Sequence, residues 1–190
     1  LPLGCVAPPP DSGQESVVAS LEAASLPPPP AKSPGWVGMS IGVISGAAMA
    51  SDGTWTCWGN EEAGNTTCPE GVYPELSMGT VHGCALDAAG EVTCWGCDDP
   101  DNYYYDLCVG QTDPPPGPFV SISAGQSQTC ALDAAGALTC WGGLALPALQ
   151  APTTGTYTKV AVGGFGCALN TDHEIVCWGS RNDEGQMWHP

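Results

Sequence analysis

The chain has 190 residues and a formal net charge of −17, with only Lys32, Lys159 and Arg181 as strong cations. Such an acidic surface repels nucleic acid and anionic membranes, and no apolar run approaches transmembrane length. Its eleven cysteines indicate an oxidising compartment and a disulfide framework. We therefore expect an extracellular or cell-surface protein that neither binds nucleic acid nor inserts into a membrane.

Residues 1–36 form a proline-rich segment unlike the rest of the chain. Its two proline runs favour extended polyproline II structure. They are Pro8, Pro9 and Pro10, and Pro27, Pro28, Pro29 and Pro30. Between them, Ser12 and Glu15 have the spacing of a capping box that opens a short helix. With Val17, Val18 and Leu21 as its apolar face, this segment is either a flexible linker or an arm that docks on a neighbouring subunit.

After this segment one pattern recurs, in which seven residues separate Cys-Ala-Leu from Cys-Trp-Gly. Full copies span 84–96, 130–142 and 167–179, and a degenerate copy spans 47–59. The tryptophans Trp58, Trp95, Trp141 and Trp178 are 37, 46 and 37 residues apart. Repeats of this length are typical of propeller blades and solenoid turns, which bury apolar faces against their neighbours. We expect the tryptophans to pack between units, with stacking on a sugar as the alternative.

Each copy predicts a β-hairpin. Asp87 suits the first position of a type I turn, and Gly90 suits the left-handed residue that follows it. This register places Cys84 opposite Cys94, close enough for a disulfide. The same count, with His173 at the left-handed position of the last copy, predicts two further disulfides. They are Cys130–Cys140 and Cys167–Cys177.

The remaining cysteines leave several pairings open. The expected pairs close loops of equal length, and they are Cys57–Cys68 and Cys97–Cys108. Cys94 and Cys97 also have the spacing of half a zinc site, although no second pair completes it. Cys5 is then a free thiol, a bridge to another chain, or the partner of a cysteine assigned above.

Apolar-alternating strands lead into the hairpins, as in residues 119–125 and 157–163, so each unit has about three short antiparallel strands. From about Trp36 to Pro190 the chain resembles the repeats of the regulator of chromosome condensation family in their short, cysteine-rich, secreted form. The matching elements are Ser123-Ala-Gly125, Cys-Ala-Leu, Gly-x-x-x-Cys-Trp-Gly, and Gly110-Gln111 followed by prolines.

This resemblance implies an all-β fold of four propeller-like blades, over residues 37–74, 75–120, 121–158 and 159–190. Members of the family commonly have seven blades. Four repeats therefore imply a four-bladed ring, an open arc, or an arc that other subunits complete. Family functions include stimulation of nucleotide exchange and enzyme inhibition through variable loops, so no functional residue transfers to this chain.

The sequence predicts no enzyme, because no histidine is accompanied by a cysteine or serine in a recognisable nucleophile setting, and the expected disulfides use the cysteines. We expect His82, His173 and His189 to lie in turns or at the surface. No resident cofactor is expected. An acidic loop offers weak calcium candidates, with a solvated loop as the alternative. They are Asp98, Asp99, Asp101 and Asp106.

Covalent sugar is a further expectation. Asn65 begins an Asn-Thr-Thr acceptor sequence for N-glycosylation. The proline runs resemble hydroxyproline-rich segments of algal and plant wall glycoproteins, whose prolines carry sugars. We therefore expect glycans at Asn65 and on the prolines of both runs.

Two functions fit these features. The first is a secreted structural glycoprotein that self-assembles head-to-tail into a fibre or surface appendage, through its arm and an unfinished blade edge at Trp188. Deleting residues 1–35 should then give folded monomers. The second is a monomeric propeller-type module that binds or inhibits another surface protein, or binds a glycan, through its loops.

Overall fold

The computed structural model describes residues 35–61, 64–97, 108–143 and 151–179. In these ranges twelve strands form four three-stranded antiparallel sheets, each made of three consecutive strands. Blade 1 contains β1 (Trp36–Ile41), β2 (Ser45–Ala50) and β3 (Trp55–Gly59); blade 2 contains β4 (Glu75–Met78), β5 (His82–Leu86) and β6 (Val92–Gly96). Blade 3 contains β7 (Ser121–Ala124), β8 (Gln128–Leu132) and β9 (Leu138–Gly142); blade 4 contains β10 (Tyr157–Val162), β11 (Gly166–Asn170) and β12 (Ile175–Trp178).

The hairpins have the predicted register. Cys84 lies opposite Cys94, and the same pairing recurs in blades 3 and 4. Gly90 has a φ of 86° and His173 a φ of 66°, the left-handed backbone that the turn requires. The Asp87 carboxylate accepts hydrogen bonds from the backbone amides of residues 89 and 91 and so closes the turn. The prediction of hairpins in all three full copies is confirmed.

Five disulfides hold the described part of the chain. They are Cys57–Cys68, Cys84–Cys94, Cys97–Cys108, Cys130–Cys140 and Cys167–Cys177. The three hairpin disulfides each join Cα atoms 4.0 Å apart. The zinc alternative for Cys94 and Cys97 is wrong, because each sulfur is bonded to a different cysteine.

The core of the molecule lies between consecutive blades. One apolar cluster joins blades 1 and 2, a second joins blades 2 and 3, and a third joins blades 3 and 4. No such cluster joins blade 4 to blade 1 within the described ranges. The all-β fold of four propeller-like blades is thus confirmed, and the described residues of these blades form an open row. Two of the expected repeat boundaries, after residues 36 and 158, fall inside strands β1 and β10.

Several predicted features lie outside the described residues. They are the proline runs, Cys5, the apolar face formed by Val17, Val18 and Leu21, the acidic loop from Asp98 to Asp106, Trp188 and His189. None of the described residues forms a helix of membrane-spanning length and hydrophobicity.

Candidate functional site

Every blade presents two different apolar faces. The backward face, toward the preceding blade, carries an aromatic residue just before or at the start of the first strand, the apolar residues of that strand, and the Cys-Trp-Gly tryptophan. In blade 3 these are Phe119, Ile122 and Trp141. In blades 2 to 4 the forward face carries the hairpin disulfide and its apolar flanks, which in blade 2 include Leu86 and Val92. In blade 1 it carries Ala47 with the Cys57–Cys68 disulfide instead. Each joint between blades packs a forward face against a backward face.

The tryptophans are part of this packing. A side chain added at Gly83 would collide with the Trp95 ring across the hairpin, and Gly166 has the same relation to Trp178. The indole N–H of Trp95 donates to the backbone carbonyl of Asn65 at 3.2 Å. These rings fill the space over a cross-strand glycine. Trp95, Trp141 and Trp178 all pack in joints between blades, which supports the expected packing role for these three.

Asn65 is a structural residue of the joint between blades 1 and 2. Its side chain is fully buried, and its amide nitrogen donates to Ser45 Oγ at 3.0 Å and to the Thr80 carbonyl at 3.4 Å. Gln111 holds the corresponding place in the next joint. It is also fully buried, and its backbone carbonyl accepts a hydrogen bond from the indole N–H of Trp141. The predicted glycan at Asn65 does not fit this structure, because the nitrogen that would carry the sugar is enclosed between blades.

His82 is buried, contrary to the expectation of a surface or turn histidine. It is fully enclosed in the joint between blades 2 and 3, where Nε2 lies 2.8 Å from Thr129 Oγ1. The Thr129 hydroxyl in turn lies 3.4 Å from the Gln111 carbonyl. Nδ1 has no hydrogen-bond partner among the described residues. Burial lowers the pKa of His82 from 6.5 to about 4, so the ring is neutral at pH 7.

A row of serines links the first strands of consecutive blades. The hydroxyls of Ser40, Ser77 and Ser123 accept hydrogen bonds at 2.9–3.0 Å from the backbone amides of Met78, Ala124 and Val162 in the following blade. Glu75 accepts from the Ile122 amide at 2.9 Å in the same way. The sequence interpretation missed this row, although the three serines share one repeat position, two residues before a glycine.

The backward face of blade 1 is exposed. Met39 pairs with the alanine of its hairpin in the register that Leu76 and Ile122 have in blades 2 and 3. Leu76 is 5% exposed and Ile122 is 4% exposed, whereas Met39 is 74% exposed and Ile41 is 60% exposed. This exposed row, which also includes Trp36, is the candidate functional site.

The exposed row continues into a groove at the inner ends of the first strands. The groove has a volume of about 420 Å³. Its lining contains Ile41, Val43, Met78 and Val162, glycine backbone, and the polar side chains Thr80 and Gln126, with no charged residue. No group of histidine, cysteine, aspartate or glutamate suited to a metal ion occurs in the part of the chain that the structure describes.

No family model matches the chain, and no curated protein matches it. Among solved structures, it is similar to the ectodomain of the Physcomitrella patens receptor kinase CR4, at 26% identity and a TM-score of 0.61 over 76% of this chain and 39% of that one. The CRINKLY WD40 ectodomain of Arabidopsis thaliana receptor kinase ACR4 is similar at 24% identity and a TM-score of 0.62, over 76% of this chain and 50% of that one. Prp20p of Saccharomyces cerevisiae, a yeast RCC1, is similar at 17% identity and a TM-score of 0.58, over 76% of this chain and 44% of that one.

These likenesses establish a β-propeller fold of the kind found in RCC1. The chain spans at most half the length of these structures. The likeness therefore covers only part of each of these structures.

Proposed function

We propose that the chain is a non-catalytic, secreted structural subunit that associates with copies of itself through the open ends of its blade row. The observation that carries this proposal is the exposure of Met39 and Ile41, at positions that blades 2 and 3 bury. Contiguous exposed apolar side chains on a soluble domain typically mark a contact with another molecule. Full burial of one such side chain contributes about 1.5–3 kcal/mol.

The extracellular location rests on the disulfides. Five disulfides in fewer than 200 residues are typical of an oxidising compartment. Two of the similar structures are ectodomains of plant receptor kinases. An acidic surface keeps single subunits soluble, and burial of apolar faces then has to exceed the charge repulsion between them.

The proline-rich segment belongs to the same proposal. Residues 1–36 would act as the arm that reaches a neighbouring subunit through Val17, Val18 and Leu21. Sugars on Pro8 to Pro10 and Pro27 to Pro30 would keep its extended parts hydrated. The intact mass of the native protein checks this directly, because a mass equal to the bare sequence less the disulfide hydrogens excludes covalent glycans.

The size of the full chain as a function of concentration tests the proposal. We expect wild type to grow from monomer to larger species in sedimentation velocity, and Met39→Glu to remain monomeric because a carboxylate cannot be buried unpaired in the contact. The matched control is Val120→Glu, since Val120 is 56% exposed on an internal blade. A monomeric wild type at every concentration would refute self-association.

The inner groove favours a second candidate, a monomeric module that binds another protein. An uncharged groove of about 420 Å³ that opens beside Ile41 and Val43 fits an apolar segment of a partner. Among the similar structures, Prp20p itself binds Gsp1p and histones. A wild-type chain that stays monomeric would favour this candidate.

A further inference from the structure

We infer that the partner of the blade 1 backward face is the forward face of blade 4 in a second copy, docked in the register that joins consecutive blades within the chain. This inference rests on the proposed function and names its contact. The same joint occurs three times inside the molecule, so its required parts are known: a disulfide-bearing forward face, a close approach of backbones, and acceptors for edge amides.

Blade 4 supplies the first part. In blade 3 the forward face consists of the Cys130–Cys140 disulfide with Leu132 and Leu138, and it packs against Tyr157 and Trp178 of blade 4. The corresponding groups of blade 4 are the Cys167–Cys177 disulfide, Leu169 and Ile175. Ile175 is 37% exposed. The described chain therefore ends in an apolar face of the kind that every internal joint covers.

Blade 4 also retains the second part, a glycine that permits the close approach of backbones. A side chain at Gly42, Gly79 or Gly125 would collide with the backbone carbonyl of the corresponding glycine in the next blade. Gly163 is the fourth member of this series, and the closest atom to a side chain placed there is the Phe165 carbonyl oxygen, 4.0 Å away. Nothing in the described chain requires glycine at 163. A carbonyl from an incoming blade, that of Gly42 in a second copy, would require it.

The third part, the acceptors for edge amides, is weaker in blade 4. Ala161 stands at the position of Ser40, Ser77 and Ser123, opposite the first hairpin cysteine, and lacks the hydroxyl that accepts an edge amide. Lys159 stands at the position of Glu75 and cannot accept a hydrogen bond. Ile41 is the counterpart of Met78, whose amide is bound by Ser40. The contact between copies therefore lacks the serine hydrogen bond that all three internal joints have. It also lacks the carboxylate hydrogen bond of the joint between blades 2 and 3, and is weaker and reversible.

Because the two faces differ, the contact is head-to-tail. Such a contact propagates into a fibre, or closes into a ring when the rotation between copies permits. A subunit with one defective face can still bind by its other face, which gives the arrangement a distinctive signature in mixtures.

The experiment uses full-length Met39→Glu, with a blocked backward face, and Ile175→Glu, with a blocked forward face. Each alone should be monomeric in sedimentation velocity, with Val120→Glu assembling like wild type. Their equimolar mixture should form 1:1 dimers and nothing larger, because one intact face remains on each. If Ile175→Glu assembles like wild type while Met39→Glu does not, or if the mixture stays monomeric, the blade 4 partner is wrong and self-association through blade 1 stands. A monomeric wild type defeats the proposed function itself.

A gain-of-function variant tests the register. Ala161→Ser restores the hydroxyl that should accept the Ile41 amide of the next copy, so the dissociation constant should fall about fivefold to tenfold, as expected for one net hydrogen bond. The control is Ala137→Ser, a serine added at an exposed turn position of blade 3. Tighter association of Ala161→Ser alone supports the register, and equal affinity in both variants contradicts it.

Discussion

The joint between blades 2 and 3 and the outer face of blade 1 use the same strand positions in opposite environments. Ile122 is 4% exposed and Met39 is 74% exposed, although both pair in the same register with the alanine of their hairpins. Both residues are apolar, so their difference in exposure comes from the presence or absence of a preceding blade. Each blade of a repeat thus has apolar residues for contact with two neighbours, and these residues are exposed where a neighbour is missing.

The internal joint also has polar contacts that the open face lacks. Ser77 and Glu75 accept the edge amides of blade 3, and His82 contacts Thr129. Such bonds satisfy groups that burial would otherwise leave unpaired, and they fix the register between blades.

The largest expected effect comes from placing a carboxylate at the two matched positions. Ile122→Glu should lower the free energy of unfolding by about 3–5 kcal/mol, since it buries an unpaired charge. Met39→Glu should change it by less than about 0.5 kcal/mol in dilute, monomeric protein, because the site is exposed. Urea denaturation with intact disulfides measures both. Equal losses would mean that blade 1 is covered in the monomer.

Removing disulfides tests whether a hairpin disulfide stabilises the fold by packing in the joint as well as by closing its loop. Cys84→Ala/Cys94→Ala should cost about 2–3 kcal/mol from the closed loop, with an added cavity cost because Cys84 is fully buried in the joint. Cys57→Ala/Cys68→Ala is the control, as it opens a loop of nearly equal length and both cysteines are only partly buried, at the edge of the cluster between blades 1 and 2. Denaturant midpoints should fall further for the first pair. The reverse order would contradict the packing role of the hairpin disulfide.

Acid should weaken the internal joint through His82. The folded pKa is lowered to about 4 from 6.5, so the unfolded chain binds the proton first, and stability falls as pH decreases from 6.5 toward 4. The loss between pH 7.5 and pH 5 is about 2 kcal/mol by linkage. In His82→Gln, which places the residue of blade 3 at the same position, this contribution disappears. Parallel pH profiles of the two proteins would contradict the buried neutral ring.

The smallest effect concerns the serine row. Ser77→Ala removes the acceptor of the Ala124 amide and should cost about 1 kcal/mol. Thr54→Ala, which removes an exposed hydroxyl that bonds to Asp52, serves as the control and should have little effect. Thermal unfolding at neutral pH compares them, and an unchanged midpoint for Ser77→Ala would mean that water replaces the hydroxyl.

Much of the fold follows from the sequence because the repeat defines it. The spacing of Cys84 and Cys94 around Gly90 determines the hairpin register, and the interval between tryptophans determines the blade. The expectations for His82 and for the sequon at Asn65 do not fit the structure, because both side chains are buried in joints between blades. Their burial depends on partners supplied by another blade, such as Thr129 and Ser45, which no local pattern reveals.

The candidate site needed the structure for a similar reason. Met39 looks like any apolar strand residue, and only its comparison with Leu76 and Ile122 shows that its neighbour is missing. The serine row was visible in the sequence at equal repeat positions. Its meaning required the contacts between strands of adjacent blades.

Methionine oxidation gives the most direct test of the claim that blade 1 carries an unoccupied joint. Met39 is 74% exposed, whereas Met78 is 3% exposed between blades 1 and 2. Dilute peroxide oxidises accessible thioethers to sulfoxides, which mass spectrometry locates. We predict rapid oxidation of Met39 in dilute protein, slow oxidation at concentrations where the chain assembles, and slow oxidation of Met78 throughout. Equal oxidation of Met39 in monomer and assembly would contradict the account.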